Sequence, residues 1–356
     1  MTLEALGWTA REAEAFRPFE ARGLRPARVA VGYGATFRVY LEDDEALAEV
    51  SGRLRHAART RRDLPAVGDW VAIRWTSPDA RARIHAVLPR KSVFSRKAAG
   101  EETVEQILAA NVDTAFLVSG LDRDYSLRRL ERYLAMSRES GAAPVIVLNK
   151  SDVAKDLPLR LREVEAIAGG VPIHAISSKL SHGLEALAPY LQPGQTIALL
   201  GSSGVGKSTL INRLLGAERQ LTGALRESDQ RGRHTTSYRE LVPLPGGALL
   251  VDTPGMRELQ LWDASEGILG TFDDIARLAV DCHYGDCGHE SEPRCAVKQA
   301  VADGRLAPER LASYHKLQAE LSALTRRQDA LARQAEKKKL RTIHRAVRRL
   351  PDRNKT

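Results

Sequence analysis

The sequence predicts a multidomain α/β protein with a small N-terminal β-barrel, a central domain built on a parallel sheet, and a C-terminal α-helical domain that carries cysteines. Three observations predict it. Short β-prone runs separated by Gly and charged turns crowd the stretch after Pro26: ARVAVGYGATFRVYL, ALAEVSGRL, GDWVAIRW and RARIHAVL. That texture belongs to small all-β barrels. Continuously apolar runs then alternate with helical stretches, as in NVDTAFLVSG, LRRLERYLAMSRESG, PVIVLNK, VPIHAISS, TIALLGSS and ALLVDTPG. Such strands imply a parallel sheet buried on both faces. Beyond about residue 265 a Cys/His cluster precedes a long stretch rich in Leu, Lys and Arg. The expected units are a helical extension over 1–24, the barrel over 25–95, the parallel-sheet domain over 96–265, and the cysteine-bearing domain with its basic helical tail over 266–356. The segment RLRHAARTRRD reads as a basic loop on the barrel, where such loops commonly face oligonucleotides.

Composition narrows the function classes. With 43% apolar and 28% charged residues in 356, the balance is that of an ordinary globular protein. No apolar run approaches the roughly 18 residues that would span a bilayer. The opening MTLEALGWTAREAEAF has early acids and no apolar core, so no secretory signal is expected. The three cysteines fall together between Cys282 and Cys295, which points to a reduced compartment, the cytoplasm, and to a metal rather than a disulfide framework. The formal charge is +9. From Arg326 to Thr356 twelve Lys or Arg face three Asp or Glu, so the last 31 residues hold the entire surplus. A tail of that density suits a nucleic-acid backbone.

After the strand TIALL stands Gly201-Ser202-Ser203-Gly204-Val205-Gly206-Lys207-Ser208, with helical residues from Thr209 onward. This is G-x-x-x-x-G-K-S in its proper strand-to-helix context. Glycines let backbone N–H groups turn inward around a phosphate, and the helix N-terminus adds its positive dipole end. Lys207 is expected on the β- and γ-phosphates and the Ser208 hydroxyl on Mg²⁺. Asn149-Lys150-Ser151-Asp152 ends the strand PVIVL, at the sheet edge where ligands bind. A carboxylate at Asp152 can accept from guanine N1–H and N2–H₂ together, whereas adenine would leave it unpaired. Asn149 suits the N7 and O6 side, the Lys150 stem can lie along the base, and Ser177-Ser178-Lys179 resembles the loop whose backbone meets guanine O6.

Asp252-Thr253-Pro254-Gly255 follows ALLV: Asp252 is expected to hold Mg²⁺ through water and the Gly255 N–H to sense the γ-phosphate. Between these motifs lies Arg233-His234-Thr235-Thr236, where a switch loop belongs, with Thr236 preferred over Thr235 as the Mg²⁺ ligand. The base reader thus precedes the phosphate loop, so the GTPase domain is circularly permuted, and the segment after Gly255 runs straight into the cysteine-bearing part. Where Ras-type enzymes place a water-orienting Gln, this chain has Met256. His234 is the local candidate to take that role, with an idle exposed histidine as the equal alternative.

Cys282, Cys287, His289 and Cys295 form C-x4-C-x-H-x5-C within 14 residues. Three thiolates and one imidazole make a closed tetrahedral set for a structural Zn²⁺. His283 competes with His289, though ligation beside Cys282 is awkward.

Together these residues resemble the bacterial small-ribosomal-subunit-dependent GTPase family RsgA, also called YjeQ or EngC. The likeness runs from about residue 25 to about 300 and rests on VGDWVAI, SRKAAG, NVDTAFLVSG, LRRLERYLA, NKSD, GSSGVGKSTL, RHTTS, DTPGMREL and the cysteine cluster. The resemblance implies an OB-fold, a permuted GTPase domain and a zinc domain. It also implies binding to the small ribosomal subunit and its 16S rRNA, action late in maturation, and GTP hydrolysis stimulated by that subunit. It further implies a catalytic role for His234 within Gly232-Arg233-His234-Thr235-Thr236, and matches Met256 to the family's apolar residue. GTP and GDP, zinc, Mg²⁺ and the subunit are the expected partners of a monomer that touches no membrane.

Overall fold

The computed structural model describes residues 1–77, 80–97, 105–216, 239–252, 265–323 and 325–326. The chain opens on α1 (Ala10–Glu20), entered through a capping box in which the Thr9 hydroxyl accepts from the first turn and the Glu12 carboxylate accepts from the Thr9 N–H. Five strands follow: β1 (Arg25–Tyr33), β2 (Thr36–Leu41), β3 (Asp44–Val50), β4 (Trp70–Arg74) and β5 (Ala82–Val87). They pair in the order β1-β2-β3-β5-β4, and β4 returns to β1, so the sheet closes into a barrel. β3 and β5 run parallel while the other pairs are antiparallel, the arrangement of an OB-type barrel. Alternation fills its interior: Phe37, Val39 and Leu41 of β2 point inward with Ala48 and Val50 of β3 and Ile73 and Ile84 of the last two strands.

The stretch RLRHAARTRRD departs from the loop expected of it. It folds as α2 (Gly52–Ala57) and a 3₁₀ turn over Arg61–Asp63. Ser51 accepts from the Leu54 N–H, and Asp63 accepts from the N–H groups of Arg59 and Thr60. Two capping side chains, one just before the basic run and one at its end, are enough to order it. An unanticipated antiparallel hairpin also appears, β6 (Val93–Lys97) with β7 (Glu105–Ala110), lying across the expected barrel boundary.

The central sheet contains β8 (Thr114–Gly120), β9 (Ala143–Asn149), β10 (Ile173–Ala175), β11 (Thr196–Leu200), β12 (Glu240–Pro243) and β13 (Leu249–Asp252). Its order is β10-β9-β8-β11-β13-β12, parallel except for β12. β12 also pairs with β1 at Glu240 and Val31, so barrel and parallel sheet are hydrogen-bonded to each other. Helices α3 (Leu127–Ser140), α4 (Leu157–Ala168) and α5 (Lys207–Leu214) cover the sheet. Successive strand residues serve opposite faces. Phe116, Val118, Val145 and Val147 pack with Leu210 of α5. Leu117, Ile146 and Leu148 pack with Leu130 and Leu134 of α3 and Val164 of α4. Each such buried side chain contributes about 1.5–3 kcal/mol.

On the α3 side lie α6 (Ser265–Thr271), α7 (Asp273–Ala279), α8 (Ala296–Ala302) and α9, over 308–323. Phe272, Ile275, Val297 and Leu317 join the same core as Leu130 and Leu134. At the junction of extension, barrel and sheet, Arg28 is fully buried and donates to the carbonyls of Leu6, Gly68 and Asn111 and to Thr196 Oγ1. Burial pushes its pKa down to about 10. Its fork ties four chain segments together. Among the described residues no helix is long and apolar enough to cross a membrane.

Candidate nucleotide site and metal centre

The phosphate loop Gly201–Ser208 turns from β11 into α5. Gly206 holds φ at +97°, and a Cβ placed there would stand 2.2 Å from Asn149 Nδ2. Only glycine fits. Gly204 also has positive φ, Val205 is buried beneath the loop, and Ser203 is exposed. Lys207 begins α5, its Nζ donating to the carbonyls of Gly201 and Ser202 at 2.6 and 2.5 Å. Ser208 and Thr209 sit exposed in the first turn, where uncommitted N–H groups and the helix dipole favour an anion.

Strand order sets Asn149–Asp152 beside this loop, because β9 and β11 flank β8. Asn149 is 2% exposed; its Nδ2 donates to the Val205 carbonyl at 2.9 Å, and its Oδ1 accepts from the N–H and hydroxyl of Ser178, both at 2.9 Å. It therefore braces the phosphate loop against the base loop. Lys150, at φ +65°, points its Nζ to Asp122 Oδ2 at 2.5 Å, and that hydrogen bond holds the Asp122 carboxyl below its ordinary range. The Ser151 N–H donates to the Ile176 carbonyl. Asp152 is exposed, with one oxygen oriented by the Ser177 hydroxyl at 2.6 Å. Ser177 and Ser178 are buried and Lys179 is exposed. From α5, Arg213 donates to the carbonyls of Ser178 and Lys179 at 3.1 and 3.0 Å, so the phosphate-loop helix clamps the base loop.

Asp152→Asn should lower GTP affinity roughly 10- to 100-fold, since it removes a charge-assisted double acceptor. Competition of labelled GTP by unlabelled nucleotides measures this, and an unchanged constant would refute the base-reading role. Asp252 lies at the carboxyl end of β13, the neighbour of β11. His234, Thr235, Thr236, Gly255, Met256 and the basic tail beyond Arg326 lie outside the described residues.

Four residues at this site escaped the sequence reading: Asp122, Asp124, Arg129 and Arg213. Asp122 and Asp124 immediately follow β8 at the carboxyl edge of the sheet, a position that could have marked them.

In the C-terminal part, one ligand atom each from Cys282, Cys287, His289 and Cys295 lies within 4.8 Å of the others. Cys295 Sγ is 3.9 Å from Cys282 Sγ and 3.4 Å from His289 Nδ1. A tetrahedron with metal–sulfur bonds of about 2.3 Å has edges of about 3.8 Å. The donors fit a four-coordinate ion. His289 turns its Nδ1 inward from a backbone at φ +60°, and burial lowers its pKa, favouring the neutral imidazole that can coordinate. Cys295 caps α8, accepting from the Lys298 N–H. His283, the alternative imidazole, meets the Tyr284 ring edge-to-face outside this group.

A phosphate loop at the centre of a parallel sheet, with its base reader on strands that precede it in the chain, defines a circularly permuted P-loop GTPase. The RsgA GTPase family model matches residues 87–262. A "small ribosomal subunit biogenesis GTPase RsgA" of Opitutus terrae is 50% identical over 98% of this chain and 97% of its own length. One from Syntrophotalea carbinolica is 46% identical over 98% of each. The crystal structure of YjeQ from Thermotoga maritima superposes with a TM-score of 0.64 at 29% identity, covering 84% of this chain and 98% of that one. That of YloQ, a circularly permuted GTPase, gives 0.59 at 25% identity, covering 84% and 96%. The chain belongs to the RsgA GTPase family, and its activity is the hydrolysis of GTP.

Proposed function

We propose that this GTPase binds the small ribosomal subunit in its GTP form, assists a late maturation step, and leaves after hydrolysis. The observation that carries the reading is the near full-length likeness to two relatives named for small-subunit biogenesis. The tail's positive surplus suits 16S rRNA as the surface contacted. The protein acts as a cytoplasmic monomer without a membrane partner. We assign the units 1–24, 25–95, 96–265 and 266–356 as extension, OB-fold, permuted GTPase domain and zinc domain.

In the nucleotide site Asp152 accepts from guanine N1–H and N2–H₂, with Asn149, Lys150, Ser151 and the Ser177–Lys179 loop around the base. The loop from Gly201 to Thr209 surrounds the phosphates, Lys207 spans the β- and γ-groups, and the Gly255 N–H senses the γ-group. Ser208 and Thr236 would hold Mg²⁺, with Asp252 behind a water. That ion supplies neutralisation of charge developing on the phosphoryl oxygens. Met256 has no group to orient water, so His234 takes the role. Cys282, Cys287, His289 and Cys295 would hold one structural Zn²⁺.

The test is GTP turnover with and without purified small subunits. Wild type should accelerate with the subunit. His234→Ala should lose about 100-fold or more of that accelerated rate while keeping its GTP affinity. An unaccelerated wild type favours a nucleotide-gated rRNA-binding regulator with incidental hydrolysis, a reading that Met256 lends some support; an unchanged His234→Ala rate refutes the histidine.

A further inference from the structure

One helix touches both the phosphate loop and the C-terminal helices. At the start of α3, Arg129 Nη1 donates to Ser202 Oγ at 2.9 Å and pairs with Asp124 at 2.7 Å. The Ser202 hydroxyl donates in turn to Asp124. That bond, opposed by some burial and reinforced by Arg129, keeps the Asp124 carboxyl below its ordinary range. The cluster therefore fixes the second residue of the phosphate loop to the first turn of the helix.

The rest of α3 carries α6, α7 and α9. Glu131, almost fully buried, receives Arg310 of α9 at 2.6 Å. Arg310 also forks onto Asp274 of α7, with both contacts at 3.0 Å, and lies over the Phe272 ring. Arg132 pairs with Glu320 of α9 at 3.0 Å. Farther along, Arg138 donates to the Gly270 carbonyl at 2.6 Å, and Glu139 accepts from the Gly267 N–H at 2.9 Å. A Cβ on Gly267 would come within 2.1 Å of the Ala135 carbonyl oxygen, so α6 lies backbone against backbone on α3. Residues 131, 135 and 138 share one stripe of the helix, which is roughly 21 Å long at 1.5 Å per residue.

We propose that α3 transmits the state of the phosphate loop to the C-terminal helices α7 and α9, with Asp124, Arg129 and Ser202 as positioning residues at the nucleotide end and the Glu131–Arg310 and Arg132–Glu320 pairs at the other. Close-packed interfaces and buried ion networks move between discrete arrangements and do not stretch smoothly. A shift of Ser202 on nucleotide binding thus reaches α9 through a rigid body. Coupling of this kind is reciprocal, so what docks on the C-terminal helices also biases nucleotide affinity. The inference rests on nucleotide occupying the phosphate loop and is independent of which macromolecule the protein serves.

Hydrogen exchange of the full-length protein tests it, without nucleotide and with saturating GDP or a non-hydrolysable GTP analogue, binding being verified by fluorescent nucleotide in the same samples. In wild type the exchange of α9 amides should change about fivefold or more between nucleotide-free and analogue-bound protein. Arg129→Gln should lose most of that change while saturated, and Arg129→Lys, which keeps a charge beside Asp124, should restore part of it. Ser202→Ala, which removes only a hydroxyl, decides the matter if Arg129→Gln does not fold. A wild type without nucleotide-dependent change in α9, or an undiminished change in folded Arg129→Gln or in Ser202→Ala, overturns the proposal. The latter result would assign the signal to the chain segment between β13 and α6. Subunit-stimulated turnover, measured separately, tells failure of this inference from failure of the proposed function.

Discussion

Gly206→Ala is expected to weaken nucleotide binding by about 100-fold or more. Two effects combine. A left-handed backbone at φ +97° costs a non-glycine residue about 1–3 kcal/mol. The added Cβ also meets Asn149 Nδ2 at 2.2 Å, and Asn149 cannot retreat without releasing the Val205 carbonyl and the Ser178 N–H and hydroxyl. Each buried group so released costs about 1–3 kcal/mol, and every 1.4 kcal/mol is about tenfold in affinity. Gly204→Ala is the control: its φ is also positive, but a Cβ there meets nothing within 4 Å, so only the strain remains, worth about tenfold. Titration with a fluorescent GDP analogue separates the two. Equal losses in both variants would show that the Asn149 brace is not what makes Gly206 necessary.

The second large effect is expected on removing the metal that the Cys/His set would hold. Cys295→Ser, or chelation of wild type, should unfold the region around Cys282–Cys295 and loosen α8 while leaving the parallel sheet folded. The four side chains come from a segment with little regular structure between α7 and α8, and structural zinc in such small sites supplies on the order of 10 kcal/mol of folding free energy. Cys295 is also the N-cap of α8 and packs in the core beside Val297. The check is metal analysis paired with hydrogen exchange, with one equivalent of zinc lost and protection lost across 282–302. Full protection after chelation would contradict a structural metal.

Much of this architecture was legible in the sequence because its signals are local. A phosphate loop carries its strand, glycines and helix within a dozen residues, and the cysteine cluster lies within 14. The barrel followed from short β-prone runs crowded between Gly and charged turns, and its strands alternate as the buried Phe37, Val39 and Leu41 display. The misses share another cause. RLRHAARTRRD became α2 and a turn because capping by Ser51 and Asp63 outweighed its polar composition. The brace made by Asn149, the Arg213 clamp and the Asp124–Arg129–Ser202 cluster join residues tens of positions apart. No spacing rule reports such contacts, since strand order alone brings them together. The burial of Arg28 was equally hidden, because an arginine in a β-prone run reads as a solvent-facing residue until four separate segments close around it.

Permutation makes α6 the next described element after β13, so nucleotide state should govern what the C-terminal helices bind. Sedimentation with purified ribosomal subunits measures that dependence directly. The protein should pellet with small subunits in the presence of a non-hydrolysable GTP analogue, far less with GDP, and not with large subunits. Equal pelleting with GDP and the analogue, or with either subunit, would contradict nucleotide-governed docking on the small subunit.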